Sequence, residues 1–237
     1  MEKNIQIETY DNHLIYGVLN SKKEASKLII FVHGLTGHKN EHQFYNAAKF
    51  FPENGFATFR FDLYSGEKNG RTLSECTIET HSSDLNAVIE NFASDFNKIY
   101  LVGHSLGGPT ILLANVDKIK SIVLWDPSFN ILKGLSDEMQ FDKRIDKYIL
   151  KWGTEYLLSK EMIESWKRLD DKILPHFIKP TKIICAGQGV LFKDWKEKIK
   201  VIDVDHEFYI IKDAGHCFDE IETENELFNE TVKWFNK

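Results

Sequence analysis

Gly103-His104-Ser105-Leu106-Gly107-Gly108 follows the apolar run KIYLV and precedes the helical run PTILLANV. A serine set between glycines at a strand-to-helix turn is held clear of its own backbone, above the carboxyl edge of a sheet. Its hydroxyl is a weak nucleophile until a base takes the proton. His216, in Asp213-Ala214-Gly215-His216, stands on a loop after the last apolar run, where such a base belongs. Attack on a carbonyl also needs N–H donors for the developing oxyanion, each worth about 3 kcal/mol of barrier. The turn His33-Gly34-Leu35-Thr36-Gly37 can aim the Leu35 N–H, and the Leu106 N–H, next to the serine, supplies a second donor. These residue types point to acyl transfer: Ser105 attacks an ester or thioester carbonyl, His216 moves the proton, and no cofactor or metal is called for. The plainer reading of HGLTG is a tight turn whose glycines accept a positive φ.

The elements that must position these groups read as an α/β chain. Asn4 to Leu19, alternating about Asp11-Asn12, predicts a β-hairpin. Short runs apolar on both faces follow: LIIFV at 28–32, FATFRF at 56–61, KIYLVG at 98–103, SIVLWD at 121–126, KIICAG at 182–187 and EFYIIK at 207–212. Such runs suit the buried strands of a parallel sheet. Helical periodicity lies between them at 41–53, 79–94, 106–116 and 219–235. Strands alternating with helices give a doubly wound, mostly parallel sheet with an N-terminal antiparallel hairpin. From Pro127 to Pro180 the rhythm breaks. That stretch shows amphipathic helical patterns, no clear strand, and the aromatics Phe129, Phe141, Tyr148, Trp152, Tyr156 and Trp166. A structureless loop of that length is implausible in a compact unit, so we expect a helical cap insertion over 127–180 within one domain spanning 1–237.

HGLTG, GHSLGG and AGH in this order resemble the α/β-hydrolase superfamily. The likeness is closest to small capped serine esterases of the cinnamoyl/feruloyl-esterase, acylglycerol-lipase and serine-aminopeptidase group. Glu41, Ala57, Arg60-Phe61-Asp62, Thr77, Glu79 and Asp84 resemble these proteins around the first turn and the strand and helix that follow. The resemblance covers the chain before 126 and after 180, and it implies the fold, the Ser-then-His order and a triad acid. The acid departs from the family pattern. Its usual place, just past KIICAG, holds Gly187-Gln188-Gly189-Val190, with no carboxylate. A second position known in the superfamily is the end of the preceding strand, where SIVLW delivers Asp126. Asp194, on the longer loop after 190, is the alternative acid, and a different acid, a dyad or an inactive protein stay open. Asp126-Pro127 could also simply begin the insertion, since Asp before Pro favours a turn.

The remaining chemistry-bearing residues form no second constellation. Asp62 is expected to organise the Ser65-Gly66 loop through its side chain. His38 and His42 lack acidic or thiolate partners at metal-ligand spacing, and HKNEH is not HExxH. Cys76, Cys185 and Cys217 are odd in number and contain no CxxC pair, which suits a reducing compartment. The 237 residues carry 30 Lys+Arg against 36 Asp+Glu, a net charge of −6, and this mild acidity argues against nucleic acid as a partner. No run of about 18 apolar residues predicts a membrane span, and no signal-peptide pattern is seen, so we expect a cytoplasmic protein. The sequence therefore predicts a carboxylesterase-type serine hydrolase acting on a small-molecule ester with a small acyl or aromatic acid group. The alternative is a hydrolase-fold ligand-binding or interaction protein with weak or lost catalysis. The oligomeric state, a homodimer included, is open.

Overall fold

A computed structural model describes residues 1–22, 25–128, 131–135, 137–169 and 172–237. The hairpin forms from β1 (Glu2–Glu8) and β2 (Leu14–Asn20), which pair antiparallel. Then come β3 (Lys27–Val32), α1 (His42–Glu53), β4 (Ala57–Phe61), α2 (Ile78–Phe92), β5 (Lys98–His104), α3 (Gly107–Leu113) and β6 (Ile119–Trp125). The sheet closes with β10 (Thr181–Ala186) and β11 (His206–Ile211), and α7 (Thr223–Phe235) ends the chain. The eight strands lie in the order β1-β2-β4-β3-β5-β6-β10-β11, antiparallel up to β4 and parallel beyond it.

The two-sided apolar runs have two cores to fill. Alternate residues of a strand face opposite sides of the sheet, and β3 divides accordingly. Leu28, Ile30 and Val32 join Leu85, Val88, Phe92 and Ile111 of α2 and α3 on one face. Ile29 and Phe31 join Phe44 and Phe51 of α1 and Leu227, Phe228 and Trp234 of α7 on the other. The helices thus take opposite faces, the doubly wound arrangement. Among the described residues, no helix is long and apolar enough to cross a membrane.

The segment between β6 and β10 differs from the helical reading. It contains α4 (Ile131–Leu135) and α5 (Lys160–Leu169), but also β7 (Met139–Asp142), β8 (Lys147–Trp152) and β9 (Thr154–Leu158), a separate antiparallel meander. The aromatics misled because Tyr148, Trp152 and Tyr156 recur every four residues, a helical spacing. In the meander Phe141 instead pairs with Tyr148, and Leu150 with Tyr156. Asp146 (φ 56°) and Gly153 (φ 68°) make the two turns. Leu150 and Leu158, both fully buried, tie the meander to the core on the α2 side. Phe129 lies outside the described residues.

Two further boundaries move. The helix expected over 106–116 stops at Leu113, and the stretch expected as loop after 190 is α6 (Leu191–Lys198), which carries Asp194.

Candidate active site

Ser105 sits between β5 and α3 with φ 52°, a left-handed conformation rare for a residue with a side chain. The turn is tight because backbone crosses beside it. A Cβ on Gly107 would lie 2.1 Å from the Val32 carbonyl oxygen, and one on Gly34 would lie 2.9 Å from Ser105 Cβ. The Ser105 N–H is taken by the Trp125 carbonyl at 3.1 Å, which ties the turn to β6.

The residue after Trp125 is Asp126, also at positive φ (39°) and 1% exposed. Its N–H donates to the Ile184 carbonyl, and its Oδ1 accepts the Ala186 N–H at 3.1 Å. The other oxygen, Oδ2, is 2.6 Å from Nδ1 of His216. His216 reaches that point from the loop after β11, with its side chain 44% exposed. Gln188 holds this loop by two bonds, from its N–H to the Ala214 carbonyl and from its side-chain amide to the Asp213 carbonyl. The turn at 187–190 therefore contributes no acid but anchors the histidine loop. A Cβ on Gly189 would come within 3.7 Å of Asp126 Oδ2. The ends of β6 and β10, paired side by side through Trp125 and Ile184, deliver to the same place, so a carboxylate from either strand can reach the imidazole.

Asp194, by contrast, does not meet His216. It lines the same pocket from α6, and among the described residues no hydrogen bond or ion pair joins it to the imidazole, whose Nδ1 is taken by Asp126. The pocket encloses about 610 Å³. Ser105, Asp126 and His216 lie along it with Leu35 and Leu106, and its apolar wall comes from Ile131, Leu135, Trp152, Val190 and Leu191.

Leu35 and Leu106 are the two expected oxyanion donors, and among the described residues no acceptor takes either N–H. The orientation of the first is fixed from behind. His33 Nδ1 lies 2.8 Å from the Gly34 carbonyl oxygen, and the Tyr64 hydroxyl donates to the same oxygen at 3.4 Å. Within a trans peptide the C=O and the following N–H point in opposite directions, so holding the Gly34 carbonyl sets the Leu35 N–H. His33 Nε2 accepts the Leu63 N–H, which leaves its proton on Nδ1, and burial lowers its pKa to about 4. The positive φ of this turn falls on Thr36 (63°), not on either glycine.

One further histidine, His104, supports the site. His104 Nε2 donates to the His216 carbonyl at 2.8 Å, and burial pushes its pKa down to about 3, so it stays neutral. His42 pairs instead with Glu224. Glu41 is the unusual carboxyl nearby. Burial raises it to about 7 while the charges of His42 and His216 pull it the other way, and Oε2 has no partner among the described residues. Asp62 departs from expectation: it accepts the Lys39 N–H at 2.7 Å and pairs with the Lys39 ammonium, tying down the segment after HGLTG. Sequence reasoning missed Ser128, whose Oγ is 3.0 Å from Ser105 Oγ. The signal was its place two residues past Asp126. Among the described residues, no hydrogen bond joins Ser105 to His216.

The family model for the α/β-hydrolase fold matches residues 27–162, more than half of the chain, and the protein belongs to that family. Comparison with curated protein sequences found no significant match. Among solved structures the chain is similar to Est1E of Butyrivibrio proteoclasticus with ferulic acid bound, at 21% identity and TM-score 0.79, covering 98% of this chain and 100% of that one. It is also similar to dienelactone hydrolase of Anabaena variabilis, at 18% identity and TM-score 0.73 over 100% and 97% of the two chains. GrgF, an α/β hydrolase of a Penicillium species, matches at 14% identity and TM-score 0.78 over 100% and 98%. At these identities the likeness speaks for the fold alone.

Proposed function

We propose that this protein is a serine hydrolase that cleaves carboxylic or thio esters of small acyl or aromatic acids through an acyl-enzyme. The observation that carries the reading is the 2.6 Å bond from His216 Nδ1 to the buried Asp126 carboxylate, in the same pocket as the strained Ser105 turn. With Nδ1 committed to Asp126, the other ring nitrogen is left to take the Ser105 proton as Oγ attacks the carbonyl carbon. The tetrahedral oxyanion is received by the N–H groups of Leu35 and Leu106. Collapse expels the alcohol or thiol, which takes the proton from His216. Water then repeats the sequence on the acyl-enzyme and releases the acid. The apolar wall favours an uncharged acyl or aromatic group beside the nucleophile. A binding protein with lost catalysis was suggested by the missing carboxylate at 187–190, and the Asp126–His216 bond weighs against it.

A fluorophosphonate probe tests this directly. The protein should be labelled at Ser105 and the Ser105→Ala variant should not. Absence of labelling, or equal labelling of the variant, removes the serine nucleophile.

A further inference from the structure

We propose that Ser128 is a further catalytic residue of this site: its hydroxyl donates to the Ser105 oxygen and speeds release of the acyl group from it. The proposal rests on the reading of Ser105 as nucleophile. Three observations place the hydroxyl. Its Oγ lies 3.0 Å from Ser105 Oγ, it lines the pocket, and its N–H donates to the Ser105 carbonyl at 3.0 Å. The tripeptide that carries it is pinned at each residue. Asp126 is bonded through its N–H and both carboxylate oxygens. Pro127 packs on Gly108, and its carbonyl accepts the Trp195 indole N–H at 2.7 Å. The residue that orients the base and the residue that touches the nucleophile thus share one rigid segment.

The direction of the bond follows from proton counting. Ser105 has one hydroxyl proton, and attack requires that it go to His216. In the reactive arrangement the hydrogen bond between the two serines must then run from Ser128 to Ser105. Such a donor does not treat the two halves of the reaction alike. In acylation the Ser105 oxygen spends electron density on the carbonyl carbon, and a hydrogen bond to the free hydroxyl oxygen is partly lost on reaching the ester. In deacylation water adds to the acyl carbon and gives its proton to His216. The carbon–Oγ bond then breaks, Oγ takes that proton, and the acid leaves. Negative charge grows on Oγ as the bond breaks, so a fixed donor stabilises the transition state more than the acyl-enzyme. Ser128 keeps its own proton throughout.

The test follows p-nitrophenyl butyrate turnover together with the steady-state fraction of acylated protein, read by intact-mass spectrometry at substrate near the KM of the parent protein. For Ser128→Ala we expect kcat and KM to fall together by about tenfold, with kcat/KM held within about twofold and the acylated fraction rising. This is the pattern of a slowed second step. Ser128→Thr, which restores a hydroxyl, should return the acylated fraction toward that of the parent protein. A fall in kcat/KM equal to that in kcat, or an unchanged acylated fraction, overturns the proposal. Fluorophosphonate labelling of the same samples separates the two levels. A parent protein that is not labelled loses the nucleophile itself, whereas a labelled Ser128→Ala with unchanged acylated fraction loses only the role of Ser128.

Discussion

The carboxyl edge of the parallel sheet and the segment between β6 and β10 meet at one pocket, yet they hold their side chains by different means. At the edge, Ser105 and Asp126 carry positive φ, their backbone groups are bonded to neighbouring strands, and the glycines around Ser105 leave no room for a Cβ. In the segment between β6 and β10, Trp152 lines the pocket from the end of β8 and is 41% exposed. The edge is fixed by covalent geometry and hydrogen bonds that cannot relax without breaking the sheet. The wall mixes buried Ile131 and Leu135 with the half-open Trp152, none of them held by the backbone bonds that fix the edge. On the proposed function, this contrast assigns the chemistry to the edge and the selection of the acyl group to the wall.

The contrast can be broken most sharply at the two aspartates. Asp126→Asn should lower kcat/KM on p-nitrophenyl butyrate by about ten-thousandfold, because an amide opposes the imidazole tautomer that accepts the serine proton. Asp194→Asn should change it by less than about threefold. A large loss in the second variant alone would move the acid to α6. Next in size is the pair Gly107→Ala and Trp152→Ala. The first drives a methyl into the Val32 carbonyl, and a loss of about 2 kcal/mol or more in denaturant unfolding is expected. The second should leave stability nearly unchanged and raise KM for bulky acyl groups by about three- to tenfold, with kcat little altered. Equal effects on stability would mean that the wall is as constrained as the edge.

The smallest effect concerns Glu41. Its folded pKa, about 7, is raised above its ordinary 4.5 by burial, so folding takes up a proton between those values. Below pH 4.5 both states are protonated and nothing is lost. Above about 7 the folded protein must hold the buried carboxylate, and its stability is lower. Glu41→Gln should therefore melt a few degrees above the parent protein at pH 8, with the gap closing as the pH falls through 7 toward 4.5. A gap independent of pH would show that the carboxyl is not the cause.

Much of the edge was legible from residue order. Runs apolar on both faces give parallel strands whose carboxyl ends converge, and the candidates Ser105, His216, Leu35 and Leu106, with Asp126 as one of two acids, were read from positions just past those ends. The wall was not legible, because a four-residue aromatic spacing satisfies a helix and a short meander alike. Only the pairing of Phe141 with Tyr148 and Leu150 with Tyr156 separates them.

The sequence by itself determined the α/β architecture and the local turns, since these depend on periodicity and on glycines at fixed offsets. It could not choose between Asp126 and Asp194 as the partner of His216. That choice depends on β10 lying beside β6, with 60 residues between the Asp126 carboxylate and the Ala186 N–H that holds it. Nor could it place Ser128 against Ser105, 23 residues away in the chain. Both contacts join the ends of neighbouring strands, and strand order is decided by how the helices cover the two faces of the sheet.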